Sequence, residues 1–185
     1  MLGNFLCKFM SLMLGYSSMH CDLEFVSREE WNARKPVAYI KLKSIPKYVF
    51  VHHTHTPEAC YNLQDCITAM QQVQNFHMDV RKWDDIGYSF AIGSDGRVYV
   101  GRGWDRVGAH TYGYNSVGLG FVVIGNYETS PPNELAISTL IKLIEYALDN
   151  GKIERNYILR GHRDVRNTSC PGQALYDIIE TWPHY

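Results

Sequence analysis

The run Val117-Gly118-Leu119-Gly120-Phe121-Val122-Val123-Ile124 has no polar side chain. Successive strand side chains point to opposite faces, so a strand that is apolar at every position must be covered on both sides. A single solvated sheet is therefore excluded, and this run becomes a central strand with layers above and below. Residues 47–53, ending in Phe50-Val51-His52-His53, read as a second buried strand, and Ile158 and Leu159 as a last short one. Tyr88–Ile92 and Arg97–Val100 flank Gly93-Ser94-Asp95-Gly96, whose Asp-Gly pair is a strong hairpin signal. Between the strands lie helical patterns. Asn62 can cap a helix with Asp65 at its third position, and Ile67, Met70, Val73, Phe76 and Val80 then recur at helical spacing. Asn133 caps a long helix with Leu140, Ile141, Ile144, Ala147 and Leu148 as its buried stripe and Gly151 at its end. A final helix is expected over residues 173–182, and Ser27 with Glu30 forms a capping pair near the start. The order predicts an α/β fold, with a central, mostly mixed β-sheet flanked by helices in a single domain over residues 21–185.

The 185 residues suffice to bury about 70% of the unfolded surface. A net charge of −1 with interspersed signs argues against a nucleic-acid partner or an anionic membrane surface. Residues 1–20 resemble a short secretory signal: Lys8, then the apolar Phe9–Leu14 stretch, then Ser17 and Ser18. The alternative is an N-terminal arm; the stretch is too short and interrupted to span a bilayer. Five cysteines cannot all pair. Cys60 and Cys66 either form a disulfide stapling a loop to a helix start, which suits an oxidising compartment, or remain two thiols. Cys21 has no evident partner, and Cys7 would leave with a signal.

Gly161-His162 through Cys170-Pro171-Gly172 sets an imidazole and a thiol in one loop behind the Ile158-Leu159 strand. Thiolate plus imidazole is a zinc-ligand pair, and a third ligand from the His52-His53 strand end would leave an open fourth position, as in catalytic zinc sites. Alternation sends His52 and His53 to opposite faces, so one of them joins; spacing does not say which. Such a centre acidifies a coordinated water and polarises a carbonyl. Thr168, in the same loop, and Tyr88 could supply a hydroxyl to a developing oxyanion. Read alone, each is more simply a turn-stabilising Thr or an ordinary strand Tyr. A purely structural zinc would need a fourth ligand; His55 is the spare candidate, and its alternation is wrong.

Several motifs in order carry a resemblance: His52-His53-Thr54, Cys60 and Cys66, Gln74 to Asp79, Trp83-Asp84-Asp85-Ile86-Gly87-Tyr88-Ser89-Phe90, Gly101-Arg102-Gly103-Trp104, Gly108-Ala109-His110-Thr111, and His162 through Gly172. Together they resemble the peptidoglycan recognition proteins, relatives of the phage-type zinc amidases. The resemblance implies His52, His162 and Cys170 as zinc ligands and Tyr88 and Thr168 as catalytic helpers. It implies hydrolysis of the amide between N-acetylmuramic acid and L-alanine, in innate immunity, by a secreted protein. The alternative within the family is a binding-only receptor; such members commonly lack a ligand, often the Cys.

The resemblance also implies a muramyl-peptide groove made of His53, Thr54, His77, Arg81, Lys82, Trp83, Arg102, His110, Tyr112 and Asn115. His77 and Arg81 are four residues apart, so on a regular helix they would share a face. In this family a Gly-Trp pair before the Asp-Ile-Gly-Tyr motif, with the Arg of Gly-Arg-Gly-Trp, accompanies diaminopimelate in the stem peptide, and an Asn-Phe pair accompanies lysine. Trp83 and Arg102 point to diaminopimelate; Lys82 departs from both patterns.

Overall fold

The computed structural model describes residues 23–185, so the segment read as a signal or arm, with Cys7 and Cys21, lies outside the described residues. The chain runs β1 (Phe25–Val26), β2 (Tyr48–His53), α1 (Leu63–Asn75), a π-helical turn (Phe76–Val80), β3 (Phe90–Ile92) and β4 (Val98–Val100). It continues through β5 (Gly118–Val123), α2 (Glu134–Asp149), β6 (Ile158–Gly161), a 3-10 turn (His162–Asp164) and α3 (Gln173–Ile179). The six strands form one sheet in the order β1-β4-β3-β5-β2-β6. Only β3 and β4 pair antiparallel, across the predicted Asp-Gly turn; the other neighbours are parallel.

The apolar run is an inner strand, as its composition requires. Leu119, Phe121 and Val123 pack with Val49, Val51, Leu140, Leu143 and Leu159 on the α2 side. Val122 and Ile124 pack with Cys66, Met70, Val73, Ile86 and Tyr99 on the α1 side. On that second face Gly118 and Gly120 leave room for rings, Phe50 lying over Gly118 and His110 over Gly120.

Both predicted caps form: the Asn62 side chain accepts the Asp65 N–H at 3.0 Å and that of Asn133 the Ala136 N–H at 2.9 Å. Cys60 and Cys66 form a disulfide that ties the loop before α1 to its first turn. Ser27 and Glu30 exchange their reciprocal bonds in a turn.

Three helix expectations are corrected. The α1 stripe does not extend to Phe76 and Val80, which are 46% and 65% exposed. The wider π-helical turn rotates the chain there and buries His77 and Met78 instead. On α2 the inward face is Ala136, Leu140, Leu143, Ile144 and Ala147, while Ile141 stands 37% exposed. Ile141 lies about 100° round the axis from Leu140, outside the arc the sheet covers. The last helix stops at Ile179, short of Trp182.

Candidate active site

Strand register brings the ligand set together. β2 lies between β5 and β6, with Val51 opposite Gly161. His52, the next residue of β2, and His162, the first residue after β6, are thus brought side by side, and their rings sit 4.6 Å apart between centroids. Asp164 accepts the Gly161 N–H at 2.8 Å and closes the 3-10 turn that presents His162. The Arg163 N–H donates to the Cys170 carbonyl at 2.9 Å, folding the loop back so that the thiol faces the strand ends. The result is a cluster of His52, His162 and Cys170 whose ligand atoms lie within 4.8 Å of one another.

His52 is 1% exposed and divides its two nitrogens. Nδ1 lies 3.6 Å from the Cys170 Sγ; Nε2 faces the His110 Nδ1 at 3.3 Å. A tetrahedral zinc with Zn–S of about 2.3 Å and Zn–N of about 2.05 Å has an S···N edge of about 3.6 Å. The His52–Cys170 separation matches that edge. Burial, followed by His110, His162 and His53, drives the His52 pKa well below its ordinary value. Burial and Arg166 lower His162 to about 4. Both rings are therefore neutral near pH 7, as metal ligation needs. Burial pushes the Cys170 thiol up to about 12, an effect that a bound cation would oppose by favouring the thiolate.

A cavity of about 460 Å³ opens beside the cluster. Its walls include His52 and His162, Tyr88, and five of the ten residues expected to form the groove: Thr54, His77, Arg81, Trp83 and His110. The Tyr88 ring is 5.3 Å from His52, and its hydroxyl makes no hydrogen bond among the described residues. Burial, then Cys170, raises its pKa far above the usual phenol value, so it remains an O–H donor. His77 accepts the Gly87 N–H at Nδ1, which leaves its proton on Nε2, and it stacks on Trp83 at 4.7 Å. Arg81 lies over the Phe76 ring at 5.3 Å. His77 and Arg81 thus reach the same cavity from a π-helical turn, not from one face of a regular helix.

The other five expected groove residues stand outside the cavity lining. His53 points to the opposite face of β2, where its Nδ1 accepts the Tyr127 N–H and Nε2 lies 3.8 Å from Glu128. Lys82 is exposed and has φ of 59°, a left-handed conformation that explains why glycine suits this position. The Arg102 guanidinium is turned onto the carbonyls of Ile86 and Val107 at 2.7 and 2.8 Å. Tyr112 is 79% exposed under Arg166. Asn115 accepts the N–H groups of His110 and Thr111 and so shapes the loop that carries them. Thr168 also lies outside the lining; its Oγ1 accepts the Cys170 N–H at 3.3 Å. Sequence reading had missed Gln72 and Phe76 as cavity walls, although their i, i+4 spacing was a usable signal.

A family model described as N-acetylmuramoyl-L-alanine amidase matches residues 42–173. The mouse protein named N-acetylmuramoyl-L-alanine amidase is 50% identical over 140 residues, which cover 75% of this chain and 26% of that protein. The Drosophila melanogaster peptidoglycan-recognition protein LB is 41% identical over 160 residues, covering 86% of this chain and 69% of that protein. Human peptidoglycan recognition protein 3 is 44% identical over 86% of this chain, which spans 46% of its length. The chain thus spans less than half the length of these mammalian relatives. Among solved structures, a Drosophila PGRP-LB variant in complex with tracheal cytotoxin superposes with a TM-score of 0.86 at 40% identity, covering 87% of this chain and 95% of that one. A human PGRP in complex with glycosamyl muramyl pentapeptide gives 0.83 at 39% identity, covering 86% and 96%. No helix among the described residues is long and apolar enough to cross a membrane. With matched sequence, matched fold and a His52, His162 and Cys170 cluster whose two histidines line the cavity, this chain belongs to the peptidoglycan recognition proteins of the N-acetylmuramoyl-L-alanine amidase family.

Proposed function

We propose that this protein is a zinc-dependent N-acetylmuramoyl-L-alanine amidase that binds bacterial peptidoglycan and cleaves the amide between N-acetylmuramic acid and L-alanine. The observation that carries the reading is the His52, His162 and Cys170 set, with one edge of tetrahedral zinc length, its two histidines lining a groove and no fourth ligand side chain joining it among the described residues. Zinc held there supplies an acidified water and an electrophilic partner for the scissile carbonyl oxygen. Tyr88, neutral and unpaired, donates its O–H to the oxygen as negative charge develops on it. Thr168 assists from the Cys170 loop, where accepting a backbone N–H leaves its own hydroxyl proton available. His77, through Nε2–H, and Arg81 hold the stem peptide against Trp83. Arg81 offers a planar donor fork to a peptide carboxylate.

The stem preference we propose is for diaminopimelate. Trp83 keeps its place because the left-handed Lys82 lets the Trp83 N–H reach the His77 carbonyl at 2.9 Å, while the Lys82 side chain stays in solvent. Arg102 lies behind this wall with its longest hydrogen bond, to the Asp85 carbonyl, at 3.5 Å, the contact most readily exchanged for a carboxylate. The disulfide supports secretion into an oxidising compartment.

The test is incubation of purified protein, with and without zinc, against muramyl peptides of both stem types. Release of free stem peptide that vanishes in Cys170→Ser is expected. Tight binding without cleavage at any zinc concentration would make the protein a receptor. Equal turnover of both peptides, unaltered by Arg102→Val, would remove the diaminopimelate preference.

A further inference from the structure

The face of His52 turned away from Cys170 is built with as much constraint as the ligand cluster itself. His52 Nε2, His110 Nδ1 and Thr111 Oγ1 form a buried triangle, with separations of 3.3 Å between the two rings, 3.4 Å from His52 to Thr111, and 2.9 Å from His110 to Thr111. Thr111 is 0% exposed and His110 8%. The loop that carries them is fixed by Asn115, whose Oδ1 accepts both of their backbone N–H groups at 2.9 and 2.8 Å. The His110 ring lies close against two glycines: a Cβ on Gly120 would lie 2.4 Å from its Cγ, and one on Gly108 would lie 2.3 Å from its Cδ2.

Two proton arrangements satisfy the triangle. In one, His52 Nε2–H donates to the Thr111 Oγ1, and the Thr111 O–H donates to the His110 Nδ1. In the other, His110 Nδ1–H donates to Thr111, whose O–H donates to the His52 Nε2; the His52 proton then sits on Nδ1, facing Cys170. Only the first leaves Nδ1 with a free lone pair at the 3.6 Å edge shared with the thiol. A group that holds a metal-ligating imidazole by its second nitrogen fixes both its tautomer and its orientation.

We propose that Thr111, together with His110, is the positioning partner of His52: it receives the Nε2–H and so presents an unprotonated Nδ1 to the metal. This rests on the zinc reading above and assigns Thr111 a role that acts through His52 rather than on substrate. Outer partners of this kind contribute roughly 10- to 100-fold in metal affinity.

The test measures zinc affinity of the full chain by chelator competition and the His52 tautomer from imidazole nitrogen shifts in the zinc-loaded, unsubstituted protein. Thr111→Val is expected to bind zinc about 10- to 100-fold more weakly. Thr111→Ser, which keeps the hydroxyl, should stay close to the unsubstituted affinity, and the ring proton of His52 should be on Nε2. Zinc binding by the unsubstituted protein that Thr111→Val leaves unchanged overturns this proposal alone. A His52 proton on Nδ1 does the same, and that measurement stands even if Thr111→Val does not fold. Failure of the unsubstituted protein to bind zinc overturns the metal reading and this proposal with it.

Discussion

Gly120→Ala puts a single methyl group on the central strand, and the geometry says where its cost arises. The new Cβ would lie 2.4, 2.6 and 2.7 Å from Cγ, Cδ2 and Nδ1 of His110. Ordinary carbon contacts are about 3.5–4.0 Å, so the overlap is about 1 Å against a rigid ring. His110 is crowded at Gly108 as well, where a Cβ would lie 2.3 Å from its Cδ2, and Asn115 holds its N–H. Overpacking of this kind costs about 1–3 kcal/mol, reduced by the roughly 0.4–1 kcal/mol that Ala in place of Gly recovers from the unfolded chain. A net loss near 1–2 kcal/mol corresponds to a melting point lower by about 2–8 °C for a chain of this size. Because the displaced ring touches His52, zinc affinity should fall as well. Denaturant unfolding of Gly120→Ala in the native and His110→Ala backgrounds isolates the cause. The penalty should largely disappear once the ring is gone. An equal penalty in both backgrounds, or none in either, would refute the argument that the ring against Gly120 is what this position protects.

Tyr88→Phe should lower kcat by about 10²–10³ while leaving zinc affinity and folding intact, since no internal hydrogen bond is lost; steady-state kinetics beside chelator competition separate these effects. Replacing Cys60 and Cys66 together by Ser should destabilise the fold by about 2 kcal/mol in urea unfolding, the loop-closure value for a bridge spanning six residues. His77 is held neutral, at about 4, mainly by burial and then by Arg102 and Arg81. Between that value and the unfolded value of about 6.5 the unfolded chain binds the extra proton, so His77 lowers stability as pH falls through that window and has no effect above it. The slope of unfolding free energy between pH 6.5 and 4 should accordingly flatten in His77→Gln.

Periodicity located the elements well where one local rule governed them. The Asn62 and Asn133 caps, the Asp95-Gly96 hairpin and the apolar β5 all depend on residues within a few positions of one another. It failed where a neighbour far along the chain set the outcome. Phe76 and Val80 continue a faultless 3.6-residue pattern, yet a π-helical turn intervenes, and its reward is tertiary: His77 reaches Gly87, Trp83 and Tyr88. Ile141 fits the α2 stripe equally well, but the sheet covers an arc centred on Leu140 and Leu143.

For the site the division is similar. Residue identity alone established that a thiol, imidazoles and hydroxyl donors are present, because ligand chemistry belongs to the side chain and needs no neighbour. Alternation established that His52 and His53 part company, since the strand repeat is a property of the backbone. Which of them meets the ligand loop depended on what packs against each face of β2. The face with Tyr127 and Glu128 claims His53, and the face with His110 and Tyr88 receives His52. Parallel pairing of β2 with β6 then set His162 beside His52, although more than a hundred residues separate them. The His52–His110–Thr111 triangle, the cavity and the withdrawal of Arg102 into its carbonyl cradle are likewise products of register and packing. Distances between side chains on different elements exist only once the sheet has brought those elements together, so no spacing along the chain could encode them.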